Sequence, residues 1–316
     1  MKSFKTSSIL KISILATIAA VSSVSFAQEA PSQSSVQVKP TVNPEILQSS
    51  AVHGPSSNQE ENQTERYSAT FYTLGGYDIH QFDRPRPSYA IYDSYFAFTV
   101  KVHRDLRFSA MPTFGYTTAG YDYLGKEVTD KVLIRDFSFA ATHYNLFEQS
   151  LPDSLDLKLR TRLYLPTSDQ SKDEGMVARL RLENELRYYF DKTSSFRAYV
   201  KPSYYFQRTT TFVDYNNKIK STRQADSQHG AEYNYRINKY FSLLPAFEFE
   251  DKWSFSSNVN NRDQRHDNTI AYRFGIEVRP IREFNFIIGY EDKRDLIQPD
   301  RDPQLGYSLL TNLVIF

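Results

Sequence analysis

The stretch Ser154-Leu155-Asp156-Leu157-Lys158-Leu159-Arg160-Thr161-Arg162-Leu163-Tyr164-Leu165-Pro166 decides the fold. Leu155, Leu157, Leu159, Leu163 and Leu165 share one parity, and Asp156, Lys158, Arg160, Arg162 and Tyr164 share the other. Successive residues of a strand point to opposite faces, so this segment predicts a strand with one oily and one charged side. The next segment repeats the pattern. Ala178, Leu180, Leu182, Leu186, Tyr188 and Phe190 alternate with Arg179, Arg181, Glu183, Glu185 and Arg187. Strands of soluble sandwiches run to about five or six residues. These are about twice as long, which suits a strand crossing a bilayer at a tilt.

Working outward, about twelve such strands are expected, starting near Tyr67, Ile91, Leu106, Lys131, Ser154, Met176, Phe196, Ser227, Phe241, Asn268, Phe284 and Leu305. Long polar connections fall at Asp78 to Ser88, Thr118 to Asp130, Thr167 to Glu174, Arg208 to Asp226, Ser256 to Asp267 and Arg294 to Gln304. Shorter ones centre on Arg104-Asp105, Asp191 to Thr193, Asn238-Lys239 and Pro280 to Arg282, with Leu146 to Asp153 longer than its class. Long loops on one side and tight turns on the other are a feature of transmembrane barrels. Aromatic residues gather near strand ends, as in Tyr188-Tyr189-Phe190, Tyr204-Tyr205-Phe206, Tyr240-Phe241, Trp253 with Phe255, and Phe284 with Phe286. Their amphipathic rings suit the headgroup level.

Composition agrees. The 316 residues include 23 Tyr and 23 Phe but no Cys, and the formal charge is +1. Absent cysteine excludes disulfide scaffolds and thiolate metal centres, and a near-neutral balance gives no electrostatic basis for binding nucleic acid. Met1 to Ala27 reads as a cleaved signal peptide, with Lys2, Lys5 and Lys11, an apolar run from Ile12 to Val21, and Ser25-Phe26-Ala27 at the cleavage position. Its removal takes the formal charge to −2, because it holds those three lysines and no acid. Gln28 to Glu65 has no Phe or Tyr and reads as a disordered periplasmic tail. The third part, Arg66 to Phe316, is the barrel domain.

The chain ends Leu309-Leu310-Thr311-Asn312-Leu313-Val314-Ile315-Phe316. With the leader and the alternating loops, this ending resembles the bacterial outer-membrane β-barrel superfamily, whose members close on an amphipathic strand with a terminal Phe. The resemblance covers Arg66 to Phe316. It implies an all-β antiparallel transmembrane barrel in the outer membrane of a Gram-negative bacterium, surrounded by lipid. It also implies that Phe316 is the signal read by the barrel-assembly machinery. Asn312 shares parity with Phe316, against Leu309, Leu313 and Ile315, so a bulge near the end is expected to reset the last strand.

Function then rests on the inward face. Pairing across the Thr167 to Glu174 loop sets Asp156 opposite Arg187, Lys158 opposite Glu185 and Arg160 opposite Glu183. Pairing across Asp191 to Thr193 sets Glu183 opposite Lys201 and Arg187 opposite Arg197. A second ladder joins Glu248 or Glu250 to Arg273 and Glu291. Two readings follow. One is a closed barrel whose charges neutralise one another, acting as a structural or surface-interaction protein. The other is a small porin in which Arg160, Arg162, Arg179, Arg181, Arg187, Arg197 and Lys201 outnumber the neighbouring acids and give passive passage to small hydrophilic solutes, with a weak preference for anions. The basic face resembles that of twelve-stranded channels for acidic oligosaccharides, which implies the second reading. A lipid-modifying enzyme is the third alternative. The His-x-Ser-Asn-Gly motif of the outer-membrane phospholipases is missing, and His143-Tyr144-Asn145 is the nearest feature. No spacing suggests a nucleophile and base, a metal site or a bound cofactor.

Overall fold

The computed structural model describes residues 66–78, 89–121, 127–144, 151–152, 154–213, 217, 219–255, 266–297 and 304–315. The expected leader, the tail and Phe316 lie outside the described residues. The strands are β1 (Tyr67–Asp78), β2 (Tyr89–Lys101), β3 (Leu106–Met111), β4 (Thr113–Tyr121), β5 (Glu127–Ile134), β6 (Phe137–His143), β7 (Leu155–Leu165), β8 (Met176–Tyr189), β9 (Ser194–Gln207), β10 (Thr211–Val213), β11 (Ile219–Ser221), β12 (Arg223–Arg236), β13 (Phe241–Ser254), β14 (His266–Ile281), β15 (Phe284–Asp295) and β16 (Gln304–Val314).

Pairing is antiparallel throughout, and β1 bonds both β2 and β16, so the sheet closes on itself. The ring holds twelve members, with β4 and β5 as outward continuations of β3 and β6. Closure removes both sheet edges from the ring, which is the condition for a β-structure to sit in hydrocarbon.

The interruptions have local causes. Pro112 separates β3 from β4, because proline offers no N–H to the ladder. Opposite it, Met111 faces Ser138 while Phe114 faces Ile134, so one extra residue is accommodated at Arg135-Asp136. That bulge turns the Asp136 carboxylate towards the Thr167 to Glu174 loop. It accepts bonds from the Ser168 amide at 3.0 Å, the Ser168 hydroxyl at 2.7 Å and the Ser171 hydroxyl at 2.5 Å. Ser168 caps a short helix, α1 (Asp169–Asp173), by accepting from the Ser171 amide at 3.1 Å.

The alternation of connection lengths predicts loops only. Instead, α1 occupies one of them, and the Arg208 to Asp226 connection folds its arms into the β10–β11 hairpin while β12 begins four residues before Ser227. The short turns are built as expected from polar caps. Asp191 accepts from the amides of Thr193 and Ser194 at 2.6 and 2.8 Å, and Asn238 accepts from those of Tyr240 and Phe241 at 2.8 and 3.0 Å.

The outer face is apolar. Phe98, Phe139, Leu182, Phe247, Phe274, Ile288 and Leu309 are all exposed on it. In the last strand Leu309, Leu313 and Ile315 point out, while Ser308, Leu310 and Asn312 point in. Its register with β15 runs unbroken from Gln304 to Leu313, so the expected bulge is absent from this pairing. Inward Leu310 belongs to a second feature that alternation does not predict. Tyr72, Leu74, Tyr95, Met111 and Leu310 form an apolar cluster on the inner face, with Ile287 packed against it. Within it Tyr72 and Tyr95 stack at 4.6 Å.

Candidate functional site: the inner wall

The inner wall has two chemically different halves. Strands β7, β8, β9, β12, β13, β14 and β15 carry a lattice of charges, whereas the inner faces of β16, β1, β2, β3 and β6 carry the apolar cluster and small polar side chains such as Ser138 and Thr142.

The lattice starts at Glu183, which lies within 3.4 Å of both Arg160 and Arg162 and 3.7 Å of Arg181. Glu185 lies 3.3 Å from Lys158, 3.4 Å from Arg187 and 3.7 Å from Arg197. Arg197 also bonds Glu232 at 3.0 Å, which carries the lattice onto β12. Further round, Arg273 donates to Glu248 at 3.0 Å and to Glu291 at 2.7 Å, and Lys293 donates to Glu250 at 3.0 Å. Glu248 is 1% exposed and Glu250 2%, so neither charge is stable without these partners.

Aromatic rings thread the basic part. The Arg179 guanidinium lies 4.7 Å from the Tyr164 ring and 4.9 Å from the Tyr205 ring, in range for cation–π attraction on two sides. The Lys201 ammonium lies 4.2 Å from the Tyr199 ring. The hydroxyl of Tyr205 donates to Asp226 at 2.6 Å. Several buried donors on this wall, among them Arg162 Nη2 and Gln228 Nε2, have no hydrogen-bond acceptor among the described residues.

No family model and no curated protein matches the chain. Solved structures do. An outer membrane channel from Pseudomonas putida F1 superposes with a TM-score of 0.54 at 11% identity, over 79% of this chain and 95% of that one. The NanC porin gives 0.45 at 10% identity, over 77% and 98%, and the KdgM porin gives 0.44 at 8% identity, over 77% and 98%.

The chain has the fold of an outer-membrane β-barrel.

Within this barrel the expected register on β7, β8 and β9 is the one found. Asp156 faces Arg187, Lys158 faces Glu185, Arg160 faces Glu183, and Arg187 faces Arg197. Arg273 faces Glu291, as the second ladder requires. Glu248 and Glu250 face Ala271 and Thr269 rather than charges, and reach Arg273 and Lys293 diagonally. Arg162, Arg179, Arg181, Glu183, Arg197, Lys201, Glu248, Glu250, Arg273 and Glu291 are buried on the inner face, while Arg160, Glu185 and Arg187 are partly exposed there.

Sequence reasoning does not single out Asp226, Gln228 and Glu232, which line β12. Parity could have found them, but Ser227, His229 and Gly230 between them blur any oily face. Two aromatics grouped with the outward clusters, Tyr205 and Tyr189, share the inward parity, and Tyr205 is buried. On the outer face, His266 and His229 approach Asp251 at 3.4 and 4.0 Å, a grouping that spacing along the chain does not reveal. Among the described residues no group of three such side chains could hold a metal ion.

Proposed function

We propose that this barrel resides in a bacterial outer membrane and acts as a channel for passive diffusion of small hydrophilic solutes, with a weak preference for anions. The observation that carries the reading is the excess of basic over acidic side chains on the inner faces of β7, β8 and β9, together with donors such as Arg162 Nη2 that find no hydrogen-bond acceptor among the described residues. Buried polar groups take partners, so donors turned into a barrel interior call for water or solute. A barrel serving only as a scaffold gains nothing from such a surplus. Apolar filling would stabilise its interior at least as well.

Biogenesis in this reading relies on the barrel-assembly machinery, with Phe316 as the recognised end, and the folded barrel is embedded in lipid through its apolar outer face. The proposal includes no cofactor and no catalytic step. Liposome swelling with purified protein is the test. Swelling in small sugars and organic anions that falls with solute size supports the channel, and vesicles that behave like protein-free ones despite folded barrel overturn it.

A further inference from the structure

The charged and apolar halves of the inner wall meet along one row of residues. Leu244 on β13 faces Gly275 on β14, Gly275 faces Gly289 on β15, and Gly289 faces Ser308 on β16. Two adjacent strands thus present no side chain at the same level, and the wall recedes into a cavity. The recess has little slack. A Cβ on Gly275 would come within 3.1 Å of Ile287, and one on Gly289 within 2.7 Å of the Ser308 hydroxyl. One bank of the cavity is ionic, formed by Arg273 and Glu232, which carry their partners Glu291, Glu248 and Arg197. The other bank is apolar, formed by Leu244, Ile287 and Leu310.

From this arrangement we infer that the cavity is a selectivity site for amphipathic solutes, small molecules with a charged or zwitterionic end and an apolar edge. The inference rests on the channel reading above and names the solute class within it. The physical basis is a division of labour. A purely hydrophilic solute must give up hydration against Leu244, Ile287 and Leu310 without return, whereas an aliphatic or aromatic edge gains by being taken out of water there. The charged end meanwhile lies against the Arg273 and Glu232 bank, where both signs of charge are available within one ion-pair lattice. Binding sites for small molecules share this plan, a mainly apolar lining with a few convergent polar groups. The glycine pair lets Ile287 and Ser308 lie close over the sheet, and a larger residue at Gly275 would push Ile287, or at Gly289 Ser308, into the recess.

Leucine and asparagine make a discriminating pair of probes, because they share the same ammonium and carboxylate and are close in size, and differ at the side-chain end. Uptake of each radiolabelled amino acid would be measured in proteoliposomes holding the full chain, with protein-free vesicles subtracted and the folded fraction checked by heat modifiability. Leucine should enter faster than asparagine by roughly five-fold, the factor expected for about one further kcal/mol of apolar contact. Gly275→Val should depress leucine entry more than asparagine entry. Leu310→Ser keeps the recess open while making its apolar bank polar, and should bring the ratio towards one even if the valine variant does not fold. Equal entry of both solutes through the unaltered barrel overturns the site and leaves the channel standing. Entry of neither through folded barrel overturns the channel and this inference together.

Discussion

Tyr199 on β9 donates its hydroxyl hydrogen bond to Glu248 on β13 at 2.5 Å by lying across the strand between them, where Gly230 presents no side chain. A Cβ at Gly230 would stand 2.8 Å from the Tyr199 hydroxyl and 2.3 Å from the Phe247 carbonyl. Glu248 in turn accepts from Arg273, so one absent side chain lets three strands share one carboxylate. The charged half of the wall is therefore a lattice linked across strands.

The first prediction concerns that crossing. Gly230→Ala should destabilise the barrel by about 1–3 kcal/mol, since the new methyl group must displace either Tyr199 or the β13 backbone. Tyr199→Phe, which removes the hydroxyl alone, should cost about 1 kcal/mol or somewhat more, because the acceptor is charged. Urea unfolding midpoints in lipid vesicles measure both. A neutral Gly230→Ala would mean that Tyr199 does not need this route.

A second prediction addresses the Thr167 to Glu174 loop. The Asp136 carboxylate, turned outward by the bulge beside it, holds Ser168 and Ser171 with three hydrogen bonds. Asp136→Ala should release α1, leaving the rest of the barrel closed. With about 1–3 kcal/mol of local stabilisation lost, opening of the segment should rise roughly five-fold or more. Trypsin cleavage after exposed Lys172 is the readout, and an unchanged cleavage rate would show that Asp136 is not the latch.

The third prediction is a pH dependence at the Asp191 turn. Hydrogen bonds from the Thr193 hydroxyl and amide, and from Ser194, hold the Asp191 carboxyl down at about 2, below its ordinary 3.8. A depressed carboxyl stabilises the fold above its unfolded value, and that contribution disappears as pH falls from about 3.8 through about 2. Asp191→Asn should therefore be less stable than the unaltered chain at neutral pH and converge with it near pH 2. Unfolding midpoints of the two proteins across that range give the answer. A gap that stays constant down to pH 2 would assign the stabilisation to something other than the ionised carboxylate.

The legibility of this fold in the sequence varied with position. The register of β7 and β8 could be read because, with leucine on one parity and charge on the other, this pairing matches three signs in a row, Asp156 with Arg187, Lys158 with Glu185 and Arg160 with Glu183. The apolar inner half could not. In β1 and β2, Phe71 and Phe96 point out while their neighbours Tyr72 and Tyr95 point in, so both faces are aromatic and the period of two vanishes. The glycine row was equally hidden, because its members lie on separate strands and meet only through register. Links such as Arg197 to Glu232 depend on the pairing of β9 with β12 across the β10–β11 hairpin, which no local pattern specifies.

The central claim is that the basic inner wall borders a conducting path, and the reversal potential of single barrels in a planar bilayer under a salt gradient tests it most directly. The comparison is between the unaltered chain and one in which Arg160, Arg181 and Arg197 are all changed to Ser. Charged side chains lining a pore set the sign of the ion that passes. The unaltered barrel should conduct with a weak anion preference, and the triple change should shift the reversal potential towards cations. Folded barrel that never conducts, or conducts with a reversal potential that the three substitutions leave unmoved, would contradict the account.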